Sequence, residues 1–273
     1  MSFSFRRLYA MMLRYTYVLR SSGFRLLEII YWPVIQLFTW GFLQTYLMKA
    51  QLATGAAAVS GPRFAAGVLV GGVLFLDILL RAQQGFSFSF LEEMWSRNMA
   101  NLLMSPLRMS EFAVALMTMS FVRLAIATVP VSIVAIYVFD FNMWSLGLAT
   151  GAFFALLLIF AWCVGLFICG LLLRYGMGAE SLVWALMFAI QPLGAVFYPV
   201  SVLPGWLQVV SWSLPPTYVF EGLRGVVLDH VVRWDLLAQG FVLDLVLFTL
   251  AAFWFSRLLK SARVAGTLLQ TGE

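Results

Sequence analysis

Six stretches of this chain are long and apolar enough to cross a lipid bilayer. They run roughly Ile29–Leu47, Phe64–Leu80, Phe112–Val138, Leu146–Leu173, Leu182–Val200 and Leu236–Leu258. Inside hydrocarbon no water is available to satisfy backbone N–H and C=O groups, so each such stretch must form a helix. The expected fold class is therefore an all-α membrane protein with six transmembrane helices. Composition agrees: 63% of residues are hydrophobic and 11% charged, where a soluble domain carries about 25% charged residues. Once the spans are removed no soluble domain of useful size remains, so residues 1–273 read as a single domain.

The fifth stretch does not end as a simple span would. After SLVWALMFAIQPLGAVFYPV it is cut by Pro199 and Pro204, then continues apolar as far as Leu228, broken again by Pro215 and Pro216. The pieces after Pro204 are about ten residues each, and at about 1.5 Å per helical residue neither reaches across about 30 Å of hydrocarbon. The segment 201–230 is thus expected to form re-entrant extracytoplasmic helices over 205–214 and 217–227. Together with Tyr198 and Pro199 it would make an outer gate or substrate exit. Glu221 and Arg224, at i and i+3, fall on one side of the second helix and are placed to pair. Tyr198, Trp206, Trp212 and Tyr218 cluster here, either lining an exit for sugar or lipid or serving as ordinary interfacial anchors.

Positive charge orients the spans. Arg6, Arg7, Arg14, Arg20, Arg25, Arg81, Arg97, Arg108, Arg174, Arg257, Lys260 and Arg263 fall on one side, against Lys49, Arg63, Arg224 and Arg233 on the other. The excess predicts that both termini are cytoplasmic and that the proline-rich segment is outside. The net charge of +5 is then mostly a topology signal with some attraction to anionic lipid, not a nucleic-acid footprint. Residues 1–28 are no cleavable signal, because arginines recur throughout them. They read as an amphipathic interfacial helix with Leu8, Met11, Met12, Tyr15, Val18 and Leu19 on one face. Arg6, Arg7, Arg14 and Arg20 gather opposite. This helix is either a simple anchor or a surface that also meets a cytoplasmic partner.

The polar segment 88–108 between the second and third spans carries Met94, Trp95, Met99, Leu102 and Leu103 at helical spacing, with Glu92, Glu93 and Arg97 elsewhere and Pro106 as a stop. A short amphipathic helix with an acidic start suits a groove on a soluble protein better than anionic headgroups. Of the polar residues within spans, Arg123, Gln191, Asp244 and Asp77 bear most on the packing. A lone charge at the bilayer centre costs about 2.5–3.5 kcal/mol, so Arg123 and Asp244 need partners; their depths allow them to pair and pin two helices, with a substrate contact as the alternative. Asp77 is expected to snorkel to the cytoplasmic side. Gln191, beside Pro192, is placed to bond a substrate or a freed carbonyl. Cys163 and Cys169, six apart, face different sides of a helix and read as small buried hydrophobes. The single histidine is His230, and no HExxH, CxxC, GxSxG or phosphate-loop motif occurs. No catalytic residue, metal site or nucleotide site is therefore expected in this chain.

Two runs carry a family resemblance: E-E-x-W … N-L-L-x-S-P-L-R-x-x-E-F after the second span, and F-Y-P-V-S-x-L-P-G-W-L-Q … P-P-T-Y-x-x-E-G-L-R-G from Phe197 to Gly225. They resemble the coupling helix and the extracytoplasmic re-entrant helices of the type-2 ABC (ATP-binding cassette) transporter permeases. The glycine-threonine pair familiar in that coupling helix is replaced here by Ser96-Arg97-Asn98-Met99. The resemblance implies an exporter's transmembrane subunit in the cell membrane (bacterial inner membrane), multi-pass and working as a homodimer. Each copy would engage one cytoplasmic ABC ATPase subunit, two copies in all, which would bind ATP and Mg. Glu92, Glu93, Trp95, Arg97, Leu102 and Leu103 would then couple to the ATPase. The implied substrates are glycans, lipid-linked compounds or hydrophobic drug-like molecules; the WPVIQLFTWGF run of the first span is closest to glycan and drug exporters. A secondary carrier or channel without an ATPase partner is the alternative, but no internal repeat supports it.

Overall fold

The computed structural model describes residues 3–53 and 67–265; Met1, Arg63, Phe64 and the tail through Glu273 lie outside the described residues. Among the described residues all regular structure is helical. The α-helices are α1 (Phe5–Arg20), α2 (Gly23–Ala53), α3 (Val68–Trp95), α4 (Met99–Met104), α5 (Met109–Phe139), α6 (Leu148–Tyr175), α7 (Leu182–Leu193), α8 (Gly205–Trp212), α9 (Pro215–Asp229) and α10 (Trp234–Ala265).

Five of these are long and apolar enough to cross a membrane: α2, α3, α5, α6 and α10. The expected fifth span is not a single helix. α7 has 12 residues, about 18 Å of rise, and gives way after Leu193 to irregular chain through Pro199. Pro192 removes a donor in the last turn, and Ala195 adopts a left-handed φ of 51°, which stops helical propagation.

α3 is the axis of the fold: 94% of its most apolar 18-residue window is buried, against 17% for α2 and 28% for α10. Its neighbours can be oriented from their contacts. Phe75 meets Phe153, and Phe86 packs on Gly165, so α6 runs parallel to α3. Gly170 lies against Phe255 and Leu258, and Leu156 beside Gly240, so α10 runs parallel to α6. The Ser120 hydroxyl donates to the Ala82 carbonyl and Phe112 meets Phe90, so α5 is antiparallel to α3. At Gly85 a Cβ would lie 3.1 Å from the Ser120 backbone, tighter than ordinary van der Waals contact, so the missing side chain eases the close approach of the two helices. α5 and α6 are antiparallel as expected from their short connection but barely touch: α5 packs mainly on α3, and α6 packs on α10 and α3. The start of α3 is capped from α2, where the buried Gln44 side chain accepts from Leu69 N–H (3.0 Å) and Val70 N–H (3.1 Å).

Candidate functional site

At one end of the bundle the arginines of α1 grip the corner between α3 and α5. Arg7 donates to both oxygens of Glu111, at 2.6 and 2.8 Å, and the Ser4 N–H adds a bond of 2.8 Å. Arg14 donates to both oxygens of Glu93, at 2.9 and 2.8 Å, and Asn98 adds 2.7 Å. Arg25 and Arg123 share Glu92, at 3.2 and 3.1 Å. Paired guanidinium–carboxylate bonds of this kind fix orientation as well as distance. Glu93 and Glu111 are almost wholly buried. The hydrogen bond to Glu111 raises the Arg7 guanidinium above its ordinary range, and burial pushes the Tyr15 hydroxyl up, so Tyr15 stays neutral beside the clasp.

The helix expected at the N-terminus forms, and Met11, Tyr15 and Leu19 of its expected apolar face are buried against the protein. Steps of 4 residues set Met11, Tyr15 and Leu19 on the inward face, and Arg7 and Arg14, seven apart, flank it and reach in to their carboxylates. Arg6 and Arg20 remain exposed. Sequence reasoning did not find Arg7, Arg14, Arg25 or Glu111 as a set. The available signal was two arginines seven apart with a buried-type residue between them.

The coupling segment also differs from expectation. It is not one helix: α3 continues through Trp95, Arg97 takes a left-handed φ of 55°, and α4 is a separate helix of 6 residues. Glu92 and Glu93 close the end of α3 and face the clasp rather than outward. Met99 and Leu102 are buried, and Leu103 packs against the same core that holds Met11, Tyr15 and Phe112, so the apolar stripe serves this chain's own interior. What the corner shows to the outside is Trp95, Ser96, Arg97, Asn101 and Met104.

Arg123 pairs with Glu92 and not with Asp244. The two spans bring Arg123 and Asp244 no pairing contact, because α10 packs on α6 while Arg123 faces the α3 side. Asp244 is buried and, among the described residues, has no hydrogen-bond partner. Asp77 does not snorkel: it is buried and pairs with Arg81 at 3.1 Å, one turn along α3. Gln191 is half-buried in α7. Both cysteines are buried thiols.

At the opposite end α9 clamps the bend after α7. The Glu221 carboxylate accepts the Val200 N–H at 2.7 Å and pairs with Arg224 at 3.1 Å. Arg224, itself buried, donates to the carbonyls of Ala195 (2.8 Å) and Val196 (3.4 Å). The Tyr198 hydroxyl donates to the Pro192 carbonyl at 2.7 Å. The backbone groups that helix breakage frees are thus satisfied by side chains, the condition for irregular chain at membrane depth. Two short helices follow, α8 of 8 residues and α9 of 15. Pro204 precedes α8, Pro215 and Pro216 open α9 where no backbone donor is needed, and Gly194 to Val196 are buried beneath them. α8 is the outer layer, with Trp206 72% exposed, whereas Trp212 and Tyr218 are half-buried and stacked edge to face at 5.1 Å. A cavity of about 640 Å³ and a second of about 300 Å³ lie on either side of the Glu221 side chain.

The chain matches the ABC-2 type transporter family over residues 20–228, a stretch that takes in the α3–α5 corner and the clamped bend but not Arg7 and Arg14 of α1. It belongs to that family of membrane-embedded permeases, and is a multi-pass membrane protein of transport rather than a catalytic subunit. No curated protein matches the chain.

Proposed function

We propose that this chain is the transmembrane subunit of an ATP-driven exporter, working as a homodimer with two copies of a cytoplasmic ABC ATPase. The carrying observation is the α3–α5 corner. It presents Trp95, Arg97, Asn101 and Met104 outward while three ion-pair clusters tie it to α1 and to the first and third long helices. A push on that surface is therefore delivered to several helices at once. The ATPase, not this chain, would hold ATP and Mg and do the hydrolysis. The cargo is a glycan, a lipid-linked compound or a hydrophobic drug-like molecule.

In this reading the chain crosses the bacterial inner membrane six times with both termini cytoplasmic. Besides the five long helices, the remaining crossing, fifth in chain order, is α7 together with the clamped bend. Trp184 meets Phe88 near one end of α3, and Val196 meets Gly72 near the other. Those two levels are 16 residues apart on α3, about 24 Å of helix, so the short helix and the bend together cover most of the apolar depth. Val196 and Arg224 then form part of an outer gate, with α8 and α9 as the re-entrant layer.

Two outcomes test this. Affinity purification of the tagged chain from its native membrane should recover an ABC ATPase in about equal amount, and a chain that purifies alone, active in transport without nucleotide, would overturn the reading. Single cysteines at Trp206 and Val209, both exposed, should react with a membrane-impermeant thiol reagent added outside intact cells. Cysteines at Arg97 and Met104 should react only after the cytoplasmic side is opened. The reverse pattern would reject the orientation.

A further inference from the structure

We propose that the larger outer cavity is a binding site for a neutral carbohydrate unit, a choice of cargo class that rests on the exporter reading only for the side of the membrane it faces. The cavity lies between the clamped bend, α8, α9 and the start of α10, and its volume of about 640 Å³ is typical of small-molecule sites, about 300–1,000 Å³. Its wall combines aromatic faces with amides and compensated charges: Trp212, Tyr218, Gln208, Gln239, Glu221 and Arg233.

The charges are already matched. Glu221 is paired with Arg224 at 3.1 Å, and Arg233 with Asp235 at 3.0 Å. No unbalanced charge is left to attract an ion. The hydrogen-bonding edges that remain suit hydroxyl groups. Gln208 uses its N–H on the Leu203 carbonyl at 2.8 Å, which leaves its oxygen as an acceptor. Gln239, exposed on α10, has no hydrogen-bond partner among the described residues and can both donate and accept. The Trp212 and Tyr218 rings are held, because the Tyr218 hydroxyl donates to the Trp212 carbonyl at 2.9 Å. A fixed aromatic face attracts the weakly positive C–H groups on one side of a pyranose ring, while the ring's hydroxyls meet the amides. A purely hydrophobic cargo would leave those amides unpaired at a cost, and an ionic cargo would meet no countercharge.

The test uses the purified full chain in lipid nanodiscs, free of glycoside detergents, without ATPase or nucleotide. Saturation-transfer NMR is recorded with maltotetraose, with tetragalacturonate as its acidic counterpart, and with tetraphenylphosphonium as an apolar cation. Maltotetraose should bind saturably and the other two should not compete for its site. Trp212→Ala should weaken its binding about tenfold, the loss of one good contact. Because Trp212→Ala could disturb α8, Gln239→Ala serves as a second variant. Gln239 is exposed, so its replacement should weaken binding several-fold in a protein of unchanged thermal stability. No saturable maltotetraose signal, equal binding of the acidic sugar, or binding that survives both substitutions would overturn the proposal. Since no ATPase takes part, such a failure leaves the exporter reading untouched, whereas failure to recover an ATPase from native membranes faults that reading and not this site.

Discussion

Replacing Glu92 and Glu93 together by lysine is expected to release the N-terminal helix from the α3–α5 corner. Glu93 is 1% exposed and holds Arg14 through two bonds, while Glu92 sits between Arg25 and Arg123. Lysines there would face three arginines with no countercharge. Removing one partner of a buried pair costs about 3–5 kcal/mol. Here Arg14 and Arg25 are 41% and 48% exposed, so solvent screening keeps the loss of each pair toward or below the low end of that range. Trypsin cleavage within α1 of the reconstituted protein should accelerate by about an order of magnitude, as a local opening made easier by about 1.4 kcal/mol or more requires. The charge swap Glu93→Arg with Arg14→Glu should restore protection, because it rebuilds the pair with its sign reversed. If the exporter reading holds, the double lysine variant should still hydrolyse ATP with its partner but transport little. Cleavage at the wild-type rate would exclude the clasp.

Arg224→Ala should produce the other large effect, at the far end of the bundle. Arg224 is 8% exposed and serves three acceptors: the carbonyls of Ala195 and Val196 and the carboxylate of Glu221. Its loss leaves a half-buried carboxylate without its cation and two buried carbonyls without a donor, a penalty of about 3 kcal/mol or more. For a chain of this size that corresponds to a fall in Tm of about 10 °C. Arg224→Lys should recover part of it, since a lysine can meet one or two of the acceptors but cannot span all three with a planar fork. A thermal shift of less than about 2 °C for Arg224→Ala would show that the bend is held by packing alone.

The comparison of the two ends shows what kind of information a sequence holds. The clamp was partly legible: Glu221 and Arg224 are three residues apart, and a local helical period predicts their meeting. Their grip on Val200, Ala195 and Val196 was not, because it depends on how α9 folds back over the bend. At the clasp the partners are 104 residues apart for Arg7 and Glu111 and 79 apart for Arg14 and Glu93. No periodicity links such positions. Local reasoning therefore placed these arginines on the polar face of an interfacial helix and Glu93 on a partner-facing surface, and gave Glu111 no role. The pairing of Arg123 with Asp244 that depth allowed is not made, and Arg123 takes Glu92 instead, for the same reason. Depth in the membrane restricts a charge to a level, but which neighbour it meets at that level is set by helix packing.

By itself the sequence determined that the chain is helical and lipid-embedded, roughly where five long helices run, and that a proline-broken segment follows the shorter α7. The reason is local and strong: apolar length and the demand for backbone hydrogen bonds leave hydrocarbon no other solution. Only the tertiary structure decided that α3 is the buried axis, that α7 is too short to be a span alone, and which carboxylate each arginine holds. Those outcomes depend on close approaches such as Gly85 against Ser120 and Gly165 against Phe86. Such approaches set the relative direction and register of whole helices, and with them the few polar contacts that remain in an apolar chain.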